Sequence, residues 1–127
     1  MEHFNLQEII SQVHERWYNC FTPLNPKAMA QNYTEDAILF GSAVPAFIGR
    51  EAIQSYFEQL PKGLYIGVEF VSEHLVMLTP DVISMAGTAK FLRHQLSPLE
   101  VRITHILVLR ERQWLIASHH VSPKVVL

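Results

Sequence analysis

Residues 101–122 read VRITHILVLRERQWLIASHHVS. Two apolar runs flank the polar reversal RER at 110–112, the pattern of two antiparallel strands joined by a short turn. A sheet with one face in water should alternate apolar and polar residues. Here Val101, Ile103, Leu107 and Leu109 share one parity while Ile106 and Val108 take the other, and WLIA at 114–117 is apolar on both. Helices can cover only one face, so something else is expected to cover part of the second. A second copy of the chain, docked as a homodimer through sheet faces, is the simplest arrangement. The run ends on adjacent histidines, His119 and His120. Neighbours on a regular strand point to opposite faces. Unless the strand bulges, one imidazole can line a pocket while the other is structural or meets a partner.

Working outward, IGVEFVSEHLVML at 66–78 and VISMAGTAKFLRH at 82–94 are β-rich and joined by the turn TPD. The N-terminal part reads differently. Asn5 with Glu8 has the capping-box form, and Ile9, Ile10, Val13, Trp17, Cys20 and Phe21 fall at helical spacing until Pro23. Asn25-Pro26 resembles a cap with proline at the first helical position, opening a short helix that ends near Tyr33. DAILF is a brief strand, and GSAVPAFIG is a loop. REAIQSYFEQL makes a third helix that buries Ala52, Ile53, Tyr56, Phe57 and Leu60. Helices first and strands afterwards predict an α+β fold, an antiparallel sheet wrapped around three N-terminal helices. The chain reads as a single domain over 1–127.

Composition excludes several classes. The chain has 127 residues, 49% hydrophobic and 17% charged, with a formal net charge of −2. It is not a disordered composition, and no basic stripe prepares it for nucleic acid. Cys20 is the one cysteine, so an internal disulfide or redox pair is excluded, and its place on the apolar stripe of the first helix predicts a buried core residue. MEHFNLQEII does not have the form of a secretory signal, and no apolar run approaches the ~20 residues that span a bilayer. A cytoplasmic protein without membrane contact is expected.

Several stretches together resemble a known superfamily. They are YTEDAILF at 33–40, FIGREAIQSYF at 47–57, and VRIT followed ten residues on by the pattern Trp114, His120, Ser122. In order and spacing they resemble the nuclear transport factor 2-like, or cystatin-like, superfamily. The likeness is nearest to its SnoaL-like polyketide-cyclase, ketosteroid-isomerase-like and calcium/calmodulin-dependent protein kinase II association-domain branches. The resemblance implies a curved sheet forming a cone with an internal pocket, and a dimer through sheet surfaces. It implies no particular reaction, since the fold hosts enzymes and non-enzymes. One departure is Ser118, where these branches often carry a further histidine.

The reactions known on this fold find few of their residues here. Isomerase chemistry of the ketosteroid type needs a carboxylate base, but counting from Tyr33 to the expected position lands on Gly41, with Ser42 after it. The cyclase and epoxide-hydrolase branches use aspartates on later strands. Asp36 and Asp81 are the only two in this chain, and Asp81 suits the turn. Glu69 and Glu73 read as solvent-facing. HERWY at 14–18 begins like a zinc-binding HExxH helix, but Tyr18 stands where the second histidine belongs. No metal and no cofactor is expected.

What remains is an apolar pocket with a few polar groups. Trp17, Tyr33, Tyr56 and Phe57 supply its helix side, and the resemblance brings Arg102, Thr104, Trp114 and His120 to it from neighbouring strands. Lys90 and His94 share a parity and could form a polar rim. Arg102 either pairs with Glu100, Glu69 or a partner subunit, or anchors a carboxylate or enolate oxygen. His120 is either a core histidine hydrogen-bonded to a backbone carbonyl or Tyr33, or an acid–base group. Three functions stay open. The first is binding of a small apolar ligand that can carry an anionic group. The second is an isomerase, cyclase or hydratase using His120 and Arg102. The third is an association module. The sequence leaves open which parity of the last strand faces inward.

Overall fold

The computed structural model describes residues 5–41 and 45–125. Three helices, α1 (Leu6–Phe21), α2 (Pro26–Ala30) and α3 (Arg50–Glu58), lie against one sheet. Its strands are β1 (Tyr33–Phe40), β2 (Phe47–Ile48), β3 (Tyr65–Thr79), β4 (Val82–Arg93), β5 (Leu96–Arg110) and β6 (Gln113–Pro123). They run in the order β2-β1-β6-β5-β4-β3. Every neighbouring pair is antiparallel except β1 with β6, which is parallel. This is the expected α+β cone, a curved sheet wrapped around helices.

The helix caps follow the sequence. Asn5 accepts from the Glu8 amide and starts α1, and Asn25 accepts from the Ala28 amide with Pro26 at the first turn of α2. α1 buries Ile9, Ile10, Val13, His14, Trp17 and Phe21. Cys20 is only partly buried and packs against the edge of that core, not inside it. α2 stops at Ala30, and Tyr33 begins β1 instead of closing the helix. The β-branched and aromatic character of the following YTEDAILF favours the extended state, and Tyr33 is buried by it. β2 falls within the stretch expected as a loop, of which residues 42–44 lie outside the described residues, as do residues 1–4 of MEHFNLQEII. In α3 Ile53 and Phe57 are buried, while Ala52 and Tyr56, and Leu60 just beyond the helix, are half-buried.

The inner face of the sheet is read from β5, where Val101, Ile103, His105 and Leu107 are buried while Arg102 and Thr104 are exposed. The decisive irregularity lies on β6. Ile106 pairs with Ser118 and Leu107 pairs with Ile116, so Ala117 is an extra, unpaired residue. A bulge of this kind shifts the alternation by one. Before it the even-numbered Ile116 is paired with inward Leu107; after it the odd-numbered His119 and Val121 pair with inward His105 and Ile103.

Candidate functional site

A cavity of about 190 Å³ lies between helices and sheet, lined by Trp17 and Phe21 of α1, Tyr56 and Phe57 of α3, Leu39, Leu60, Tyr65, Phe91, Leu99, Val101, His119 and Val121. Its walls are aromatic because helical spacing brings Trp17 and Phe21 to one face of α1, where their rings stack at 4.6 Å. Phe57 and Phe91 meet Trp17 edge-on. Among the described residues none of those lining it is an acid, a lysine or an arginine.

One imidazole reaches this space. Trp17 Nε1–H donates to the Tyr33 hydroxyl at 3.0 Å, and that hydroxyl lies 2.9 Å from His119 Nδ1. Indole can only donate, so the Tyr33 oxygen accepts from it and its own proton is free for Nδ1. All three groups are then satisfied, and neutral His119 carries its proton on Nε2. Among the described residues Nε2 has no hydrogen-bond partner, which leaves it as a donor for the cavity. Burial first, then the neighbouring His14 and His120 imidazoles, pushes His119 down to about 3, so it is uncharged near neutral pH. Burial likewise raises the Tyr33 phenol, against the opposing effect of the Trp17 hydrogen bond.

Two further histidines stand behind His119. His105, directly opposite it on β5, meets its ring edge-on with centroids 4.3 Å apart. His105 Nδ1 lies 3.2 Å from His14 Nε2, and His14 stacks on Phe70 at 4.1 Å. Among the described residues nothing accepts or donates at His105 Nε2, although it is buried. Burial holds His14 at about 4 and holds His105 well below the usual histidine range, helped there by its two imidazole neighbours. Among the described residues no group of three or more His, Cys, Asp or Glu is arranged to hold a metal ion.

The residues singled out from sequence divide between two faces. Trp17, Tyr56 and Phe57 line the cavity, and Tyr33 is fully buried behind its wall. Trp114 is half-buried against the core without lining the cavity. Arg102, Thr104 and His120 lie on the opposite, outer face, in a shallow hollow of about 220 Å³ with Glu73, His74 and Ser122. Arg102 and Thr104 point outward by the alternation of β5, and the Ala117 bulge turns His120 the same way, where its ring meets Phe40 edge-on. The Tyr33 hydrogen bond expected of His120 is made by His119. Arg102 has no ion pair among the described residues, and Glu100, one of the partners expected for it, pairs with Lys124 at 3.3 Å. Lys90 sits opposite Glu69 and Glu100 in the strand register, on the outer face. His94 lies exposed in the turn after β4, and so does not join Lys90 as a rim of the cavity. Sequence reasoning missed His14 and His105. The one signal was His105 on the inward parity of VRITHILVLR, since His14 is 91 residues away in the chain.

The SnoaL-like domain family matches residues 10–126, and the chain belongs to it. No functionally curated protein matches. Among solved structures, the chain is similar to a ketosteroid isomerase-like protein from Erwinia carotovora atroseptica at 16% identity and a TM-score of 0.78, covering 97% of this chain and 100% of that one. A domain of unknown function with a cystatin-like fold from Nostoc punctiforme aligns at 13% identity and a TM-score of 0.82, over 99% and 82% of the two chains. A calcium/calmodulin dependent protein kinase II association domain from Xanthomonas campestris aligns at 23% identity and a TM-score of 0.77, over 98% and 91%. At these identities the likeness establishes the fold alone. Among the described residues no helix is long and apolar enough to cross a membrane.

Proposed function

We propose that the chain binds a small uncharged molecule inside the cone: one ring carrying a carbonyl group, with the carbonyl oxygen accepting from His119 Nε2. The observation that carries this reading is the Trp17–Tyr33–His119 hydrogen-bond chain, which orients one imidazole donor at a cavity whose lining is apolar apart from the Tyr56 and Tyr65 hydroxyls. An apolar cavity of about 150 Å³ already holds benzene, so about 190 Å³ suits a substituted ring. The absence of a cationic side chain from the lining weighs against an anionic ligand there, because an unpaired charge in such surroundings is costly. His119, neutral and fixed as a donor, suits polarising a carbonyl better than abstracting a proton, so binding is favoured over turnover.

Acetophenone and ethylbenzene differ by this one acceptor. Acetophenone should bind the wild-type protein about tenfold more tightly, the equivalent of one net hydrogen bond. His119→Leu should abolish the difference while ethylbenzene still binds. Calorimetry on both proteins decides the matter, and a preference that survives in His119→Leu would refute the role of the imidazole.

A second reading concerns the outer face. One transverse row crosses the sheet from Ile38 through Ser118, Ile106 and Ser84 to Val76. Ile38 is 43% exposed and Val76 53%, with Phe40 and Val71 also open to solvent. Apolar residues spread along one face favour a second copy of the chain as its cover. Sedimentation should give a dimer for the wild type and a monomer for the Ile38→Asp, Val76→Asp double variant. A wild-type monomer at micromolar concentration would end this reading.

A further inference from the structure

We propose that His14, His105 and His119 form an acid-sensitive latch. The three imidazoles stay uncharged while α1 is docked on the sheet, take up protons when it lets go, and thereby empty the cavity as the pH falls. The latch itself rests on the geometry of the three rings; the release of a ligand rests also on the binding reading above.

The rings come from three elements, α1, β5 and β6, so their contact joins the helix to the sheet. Trp17 and Phe21, which wall the cavity, lie three and seven residues beyond His14 on the buried face of the same helix. A helix that leaves the sheet at His14 therefore takes that wall with it. His14 borders a surface groove of about 320 Å³ that shares no lining residue with the cavity, which gives water a route to the latch.

No counter-charge waits for a proton inside. Glu15 and Tyr18 of α1 border the groove beside His14, and Glu15 is exposed. Arg16 is turned away, held by Asn32 and the Trp114 carbonyl. On the sheet side, β3 offers Val68 and Phe70, and β4 offers Met85 directly opposite His105. β1 contributes Tyr33, whose phenol is itself influenced by Tyr56 of α3, and β6 contributes His120 on the outer face. A proton placed on the cluster thus meets aromatic rings, a thioether and other imidazoles, an arrangement that disfavours the charged form.

The sign follows from linkage. All three rings sit below the ordinary histidine value of 6.5 when docked, with His14 at about 4 and His119 at about 3. Between about pH 6.5 and 4 the released state binds more protons than the docked state, so docking weakens as pH falls and is fully stable above that window. Once the pH is well below 6.5, three protons taken up together make the opening constant rise by up to roughly a thousandfold per pH unit, against at most roughly tenfold for one buried histidine.

The test is the opening equilibrium of the full chain between pH 7.5 and 5, read from urea unfolding and from amide exchange in α1 corrected for intrinsic rates. The expected result is an uptake that grows from near zero at pH 7.5 to close to three protons at pH 5, the value at pH 5 falling by one in His14→Gln and by one in His105→Gln. An uptake of one proton or fewer in the wild type overturns the latch, and so does a slope unchanged in both variants. Acetophenone retention is followed in parallel. If acetophenone binds at pH 7.5, its loss should track the opening. If it binds at no pH, the binding reading fails, while the proton count still decides the latch.

Discussion

Trp17→Ala should lower the stability of the protein by about 4 kcal/mol, because large aromatic truncations in a packed core cost about 3–5 kcal/mol. The indole is 3% exposed and holds together rings from every layer. It stacks on Phe21, and it meets Phe57 of α3, Phe70 of β3, Phe91 of β4 and His119 of β6 edge-on. Removing it also takes away the donor that orients the Tyr33 hydroxyl. The enlarged void should accept indole added to the solution, as apolar cavities accept rings of matching size. Urea midpoints measure the loss, and indole should raise the melting temperature of the variant but not of the wild type. A cost below about 1 kcal/mol would mean that the helices and sheet do not depend on this contact.

Gly87→Ala is the second large effect, at about 3 kcal/mol or more, the upper end of what overpacking costs. A Cβ added at Gly87 would stand 2.0 Å from the Val71 carbonyl oxygen and 3.1 Å from the Ser72 Cα. These are backbone atoms of the paired strand and cannot rotate away. The crowding arises where the β3–β4 register shifts between Ser72 and His74, a bulge that bends β3 onto its neighbour. Gly67→Ala is the fitting comparison. Its nearest neighbour would be the tip of the Leu92 side chain at 3.2 Å, which can swing aside. Denaturant unfolding of the two variants should separate them clearly, and equal costs would show that the close strand approach at Gly87 yields easily.

The helical side of the site was legible because it depends on local spacing. Trp17, Tyr56 and Phe57 follow from the 3.6-residue repeat, and all three line the cavity. The strand side was legible in composition but not in direction. Alternation along WLIASHHVS puts Ile116 and His120 on one face, and that holds only while each residue faces one partner. Ala117 has none, so everything beyond it is turned over. The reversal exchanges His119 for His120, and it brings His120 and Ser122 to the outer surface beside Thr104 and Arg102, which the regular alternation of β5 already points outward. Tyr33 was placed near the site, although at a helix end instead of the start of β1.

Sequence by itself determined that a mainly helical first half precedes the long strands, which helical residues form the aromatic wall, and that no carboxylate stands where the isomerase-type base would. These are matters of composition and of short-range periodicity, which neighbouring residues decide among themselves. Tertiary structure alone decided which histidine faces the cavity and which residues stand behind it. One unpaired residue on β6 inverts a strand without any signature in side-chain type. His14 and His105, far apart in the chain, become partners only when α1 lies down on the sheet, because burial and a 3.2 Å contact are properties of the packed core and not of either segment.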